Sequence, residues 1–169
     1  KEAIGDPRLL EPGKAEVISR GQDANLVALG SMVAPAQEAA RILQEQGISC
    51  GVLNARFVKP LDVETLSQAA TEAPLFVLEE NVEAGGFGQL VVNALLSGSG
   101  PPAERELGPN ASGTAEPRTI VPRAMKPIHK IALPAEFVQH GSQTQLRELC
   151  GLDAESIATK IGNTLGGGK

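Results

Sequence analysis

Pro74-Leu75-Phe76-Val77-Leu78-Glu79-Glu80-Asn81-Val82-Glu83-Ala84-Gly85-Gly86-Phe87-Gly88 is the stretch whose reading decides the fold. Its apolar run, Leu75–Leu78, has the length of a buried strand and is opened by a proline. The run stops at two carboxylates, Glu79 and Glu80, and a glycine-rich turn follows. Gln89–Leu96 then carries Leu90, Val91, Ala94 and Leu95 at helical spacing. Strand, acidic edge, glycine turn and helix make half of a β-α-β crossover. Its polar end faces the rim where open α/β sheets carry their functional groups.

Upstream the same unit occurs twice. Asn25–Leu29 reads as a buried strand ended by Gly30, with Ser31 able to cap a helix over about 34–46 and Pro35 tolerated in its first turn. Ala36, Ala39, Ala40 and Leu43 share one face of that helix, and Gly47 stops it. Ile48–Asn54 is the next strand, and Asp62 caps a helix to about Glu72. Ala15–Ser19 alternates weakly, as a short edge strand does. This alternation predicts a mostly parallel sheet between helices.

Downstream, 97–123 holds five prolines among Gly, Ser and Ala with no periodicity, and reads as a flexible insertion. Pattern returns with a strand at Ile128–Leu133, a helix at Gln143–Cys150 and a last helix from Asp153 to about Leu165. Residues 1–14 read as a linker, 15–165 as the domain and 166–169 as a frayed tail. Because the first residue is Lys1 rather than Met, the chain is expected to begin inside a longer protein or after processing.

Composition removes several function classes. The 169 residues include four Phe and no Trp or Tyr, so the core is aliphatic and no aromatic platform awaits single-stranded nucleic acid. A net charge of −5 argues against a phosphate-backbone partner. No apolar run approaches the roughly 20 residues of a membrane span. Cys50 and Cys150 stand far apart with no metal spacing around them, and read as reduced, partly buried thiols.

The candidate chemistry is sparse. Gly85-Gly86-Phe87-Gly88 before a helix resembles a phosphate cradle, but Gln89-Leu90 replaces the Lys and Ser or Thr of a P-loop. The spacing glycine and distant acid of a dinucleotide site are also missing. These glycines are expected to let the helix approach the sheet or a neighbouring subunit closely. Glu79 and Glu80 point to opposite sides of a strand and cannot act as a facing pair. One of them is expected to bond at the sheet rim, with Arg56 or Lys59 as partner. His140, before Gly141-Ser142 at a helix start, suits a bond across an interface or a proton carrier. His129 is expected on an exposed face. No metal cluster and no Ser-His-Asp or Cys-His set can be assembled.

Three runs, in register, carry a resemblance: Asn54-Ala55-Arg56-Phe57-Val58-Lys59-Pro60-Leu61-Asp62, then Glu79-Glu80-Asn81-Val82 with Ala84–Gly88, then Leu133-Pro134 with Phe137-Val138-Gln139-His140-Gly141-Ser142. Gly30–Val33 and Gly151–Asp153 fit in the same order. Together they resemble the C-terminal domain of the 1-deoxy-D-xylulose-5-phosphate synthases, in the transketolase C-terminal-domain family. The resemblance implies a three-layer α/β/α fold around a five-stranded mixed sheet, order 1-3-2-4-5, with the first strand antiparallel. It implies a thiamine diphosphate- and Mg²⁺-dependent transferase that condenses pyruvate with glyceraldehyde 3-phosphate, releases carbon dioxide and begins the non-mevalonate route to isoprenoids. The diphosphate–metal site would lie on an absent first domain and the activating acid on a second. The family's Pro-Arg-Gly segment would lie just before Lys1. No catalytic, cofactor-binding or metal residue is then expected in this chain, and no bound cofactor. Arg56, Lys59, Glu80, Gly85, Gly86, Phe87, Gly88 and His140 would form the rim facing the other domains and a homodimer partner, in a bacterial cytoplasm or plastid stroma. Ala132-Leu133-Pro134-Ala135 departs from the family's usual Gly-Leu-Pro-Asp, removing a carboxylate near the His140 turn. Rival readings are the C-terminal domain of a 2-oxo acid dehydrogenase β-subunit or transketolase, and a free-standing module taking an anionic effector near Gly30 and Glu80.

Overall fold

The pleat of the quoted strand divides the molecule into two cores. In the computed structural model, which describes residues 9–97, 124–138 and 140–166, Leu75 and Val77 join one buried cluster while Phe76 and Leu78 join the other. Successive strand side chains point to opposite faces, so each apolar strand of this kind serves two layers.

The elements are β1 (Glu16–Ser19), β2 (Ala24–Ala28), α1 (Val33–Glu45), β3 (Cys50–Asn54), α2 (Val63–Glu72), β4 (Leu75–Val82), α3 (Phe87–Leu96), β5 (Ile128–Leu133), α4 (Gln143–Cys150) and α5 (Ala154–Gly166). The sheet has five strands in the order β1-β3-β2-β4-β5. β1 is antiparallel to β3, and the remaining pairs are parallel. This is the order and the antiparallel first strand that the family resemblance implied.

One face is covered by α1 and α5 through Ala36, Ala39, Leu43, Ile157, Ala158 and Ile161. The other is covered by α2 and α3 through Leu66, Ala70, Phe87 and Val91. Each fully buried Leu or Ile stabilises the fold by about 1.5–3 kcal/mol relative to leaving it exposed. The small alanines of α1 let that helix lie close to the sheet. β1 is exposed throughout, a four-residue edge carrying Glu16, and short charged edges resist pairing with other chains.

The helix starts follow local chemistry. Asp62 accepts from Thr65 N at 3.1 Å and caps α2, as its position predicts. Ser142 and Gln145 form a reciprocal capping box at α4. Asp153 accepts from Ser156 N at 2.9 Å at the head of α5. Gly47 (φ +80°) and Gly151 (φ +65°) terminate helices in the left-handed region.

Four expectations are corrected. β4 does not stop at the carboxylates but continues to Val82, because Val82 pairs with Leu133 beyond a register irregularity. Ser31 does not cap α1: it lies in a one-turn 3-10 segment, Gly30–Met32, and its hydroxyl is turned to Glu80. His129 is half-buried rather than on an open face, its ring stacked on Phe76 at 4.7 Å between centroids. The 97–123 segment lies outside the described residues except for Ser97, the C-cap of α3, and so do residues 1–8 and 167–169. Gly166, assigned above to the tail, is the last residue of α5.

Candidate functional site: the carboxyl rim of the sheet

At the carboxyl end of β4 the strand's alternation sends its two glutamates to different helices. Glu79 continues the Leu75–Val77 side and meets the head of α3. Its carboxylate accepts Phe87 N at 2.5 Å and Gly88 N at 2.8 Å, and the residue is 1% exposed. The first N–H groups of a helix have no partner within it, and a carboxylate there is also favoured by the helix dipole.

The glycines are what admit this carboxylate. A Cβ on Gly86 would stand 2.2 Å from Glu79 Oε2 and 2.6 Å from the Val82 carbonyl oxygen. One on Gly88 would stand 2.9 Å from Glu79 Oε1. The glycine-rich turn therefore brings α3 against the sheet, as expected, with an internal carboxylate held where a bound anion would otherwise sit. Lys130 crosses the same corner, paired with Glu83 at 3.0 Å.

Glu80 points the other way, to the switch point between β2 and β4. It accepts from Arg147 Nε at 2.6 Å, from the Ser31 hydroxyl, and from Gln143 Nε2 at 3.4 Å. Arg147 also reaches the Ser31 carbonyl at 3.4 Å. The guanidinium of Arg147 draws the Glu80 carboxyl below the ordinary carboxylate range; partial burial opposes this, and the Ser31 and Gln143 bonds assist it. This clasp ties α4, which has no buried residue of its own, to the rim. It also fills the crevice where open α/β sheets hold ligands.

The expected partners of Glu80 are thus replaced. Arg56 pairs instead with Glu16 of β1 at 2.8 Å, because the turn after β3 carries it toward the edge strand. Arg56 itself has φ +56°, in the left-handed region, with its N–H donated to Asn54 Oδ1 at 3.0 Å. Lys59 is exposed, just before Pro60. His140 is exposed as well, and no hydrogen bond or ion pair joins it to Arg56, Lys59 or Glu80. The rim residues share one edge of the sheet but converge on no common point.

The residues that sequence reasoning missed are Arg147, Gln143 and Ser31. Gln143 and Arg147 are four apart on α4, so they share a helix face, but nothing local names the carboxylate they meet. Asp62 holds more than its cap. Its other oxygen accepts from Ala15 N at 2.9 Å and from the Thr65 hydroxyl at 2.9 Å, tying the entering chain to α2. Burial pushes the Asp62 carboxyl up, and the bonds from Ala15 and Thr65, with nearby Lys14, more than reverse it. Cys50 and Cys150 are both free. Burial, with Asp23 nearby, pushes the Cys50 thiol up to about 12.

An α/β/α domain around a five-stranded mixed sheet with an antiparallel first strand is the class that the fold defines. The chain is a member of the transketolase C-terminal domain family, whose family model matches residues 13–125. Among curated relatives it is 38% identical over 158 residues to the 1-deoxy-D-xylulose-5-phosphate synthase of Thermomicrobium roseum, covering 93% of this chain and 21% of that protein. To the synthase of Magnetococcus marinus it is 38% identical over 160 residues, covering 95% of this chain and 22% of that protein. The chain therefore spans about a fifth of the length of the curated relatives it matches. Among solved structures, a split-gene transketolase described as an inactive beta4 tetramer superposes with a TM-score of 0.73 at 26% identity, covering 98% of this chain and 46% of that one. A transketolase mutant from Pichia stipitis gives 0.57 at 16% identity over 93% of this chain and 18% of that one, a likeness of fold. No helix among the described residues is long and apolar enough to cross a membrane.

Proposed function

We propose that this chain is the C-terminal domain of a thiamine diphosphate- and Mg²⁺-dependent 1-deoxy-D-xylulose-5-phosphate synthase, contributing assembly and scaffolding while the chemistry resides on the preceding domains and a dimer partner. The whole enzyme joins pyruvate to glyceraldehyde 3-phosphate with loss of carbon dioxide, at the head of isoprenoid precursor synthesis. The observation that carries this reading is identity of 38% across more than nine-tenths of the chain to two proteins bearing that name, of which the matched region is about a fifth.

The residues present do not fit the cofactor. Both oxygens of Glu79 are committed to the glycine-rich start of α3, which leaves no room there for a diphosphate. Among the described residues no group of three or more His, Cys, Asp and Glu is disposed to hold a metal ion. The inactive tetramer of the split-gene transketolase offers a precedent for assembly by a chain containing this fold without activity. Arg56, Lys59, Glu80, Gly85, Gly86 and His140 form the rim that faces those other domains, whereas Phe87 and Gly88, expected with them, are buried against the sheet.

A graft tests the reading. This chain replaces the matching segment of the Thermomicrobium roseum synthase, and product formation from pyruvate and glyceraldehyde 3-phosphate is followed. The graft is expected to retain kcat within about tenfold, or about 1.4 kcal/mol of barrier, while the 169-residue chain alone turns over nothing. Pyruvate consumption by the chain alone, or a folded dimeric graft without activity, refutes it.

A further inference from the structure

The stretch between β5 and α5 contributes nothing to the core. Ile131 before it is 6% exposed and Leu152 after it is fully buried, yet none of the described residues from 132 to 151 is buried. Phe137 is 94% exposed and Leu149, on α4, is 71% exposed. Leu133 and Cys150, half-buried against the α1/α5 core, anchor the two ends. Between them the contacts are largely the segment's own. Ser142 and Gln145 cap each other, and Leu146 lies against Gly141, where a Cβ would stand 3.2 Å from its Cδ2.

The hydrogen bonds that tie 134–149 to the sheet converge on one place. Gln143 and Arg147, one turn apart on α4, both donate to Glu80, and Arg147 also donates to the Ser31 carbonyl. A helix of eight residues is too short to persist in water by itself. With no buried side chain to hold it, α4 owes its order to that carboxylate.

We infer that 134–149 is a strap that opens and closes on the folded domain as one unit, with Glu80 as its latch. Closed, Arg147 fills the crevice between β2 and β4. Open, α4 melts and the crevice empties, while both cores stay packed. Segments with few buried apolar contacts and solvent-exposed backbone bonds open at free energies well below that of global unfolding. The rim therefore has two states, and the Glu80–Arg147 contact sets the balance between them. Neither the strap nor its latch depends on the synthase reading, and no activity enters the test.

Hydrogen exchange of the 169-residue chain at pH 7 is read at 146–149 in α4 and at 157–161 in α5, at urea concentrations below the unfolding midpoint. Relative to unfolded rates, the α4 amides are expected to exchange at least about tenfold faster than those of α5. Their rates should change little with urea, because a small opening exposes little surface. Glu80→Gln and Arg147→Gln should each speed α4 exchange about fivefold, the effect of losing a partly exposed ion pair. The double variant should do no more than either alone, since both side chains act through one contact. Glu38→Gln, which breaks a pair with Arg41 inside α1, should leave α4 exchange unchanged. A urea slope in α4 equal to that of α5, or faster α4 exchange in Glu38→Gln, overturns the strap. Unchanged α4 exchange in Glu80→Gln, or single effects that multiply to about 25-fold in the double variant, overturns the latch.

Discussion

Glu79→Gln removes one oxygen and one charge from a carboxylate that is 1% exposed and holds the first turn of α3. Bonds to charged acceptors contribute about 1.5–3 kcal/mol each. The glutamine keeps one acceptor and turns an amide N–H₂ toward the second backbone N–H, so one bond is lost and a donor is left facing a donor. The helix-dipole contribution, about 0.3–1 kcal/mol, goes with the charge. Against these losses, a neutral amide is less costly to bury than a carboxylate. The balance is a destabilisation of about 2 kcal/mol, or about 4–8 °C in Tm for a domain this size. Glu79→Ala strips both acceptors and leaves a void, so about 3–4 kcal/mol is expected. Urea unfolding followed by circular dichroism at pH 7 measures both. A Glu79→Gln midpoint within about 0.5 kcal/mol of the parent, the usual scatter of inert surface changes, refutes the claim that this carboxylate anchors α3.

Glu80→Gln is expected to cost about 1 kcal/mol at pH 7, the range of a partly exposed ion pair. Because the folded-state pKa of Glu80 lies below its unfolded value of about 4.3, the contribution is complete above that value. It is lost as pH falls through the folded pKa. The parent–variant gap in urea midpoint should therefore narrow as pH falls below the unfolded pKa of about 4.3; a gap unchanged at pH 3 refutes the assignment. Gly86→Ala should destabilise by about 3 kcal/mol through overpacking against the Val82 carbonyl and Glu79, more than Gly85→Ala, which at φ +80° in open space should cost about 1–2 kcal/mol from its backbone alone; thermal melts that rank them the other way contradict the cradle. Leu66→Ala, on the fully buried face of α2, should cost about 2–5 kcal/mol in the same melts. With a thiol reagent at pH 8, Cys150 should react in the folded chain and Cys50 only on unfolding, since burial holds the Cys50 thiol at about 12.

Much of the architecture was legible in the chain. The apolar run at Leu75–Leu78 and the 3.6-residue spacing of Ala36, Ala39 and Leu43 describe what each segment does with its own backbone and apolar face. Asp62, Gly47 and Asp153 are end signals that act within four residues, so they were read with their roles. The divergence of Glu79 and Glu80 followed from the two-residue period of a strand. Strand order is different in kind. No local pattern orders five strands, and here it came through motifs matched to a family.

Partners were the part that local reading could not reach. The sequence offers Glu80 the basic residues Arg56 and Lys59 beyond β3, but β2 lies between that strand and β4, and Glu80 is held instead by Arg147, 67 residues away. Arg56 turns to Glu16 because its left-handed backbone aims the side chain at the edge strand. Ser31, in the right place to cap α1, gives its hydroxyl to Glu80. Backbone periodicity and end-capping are short-range and leave their mark in consecutive residues. Which charge meets which at the rim depends on where α4 comes to rest after β5, and long-range packing alone brings those groups together.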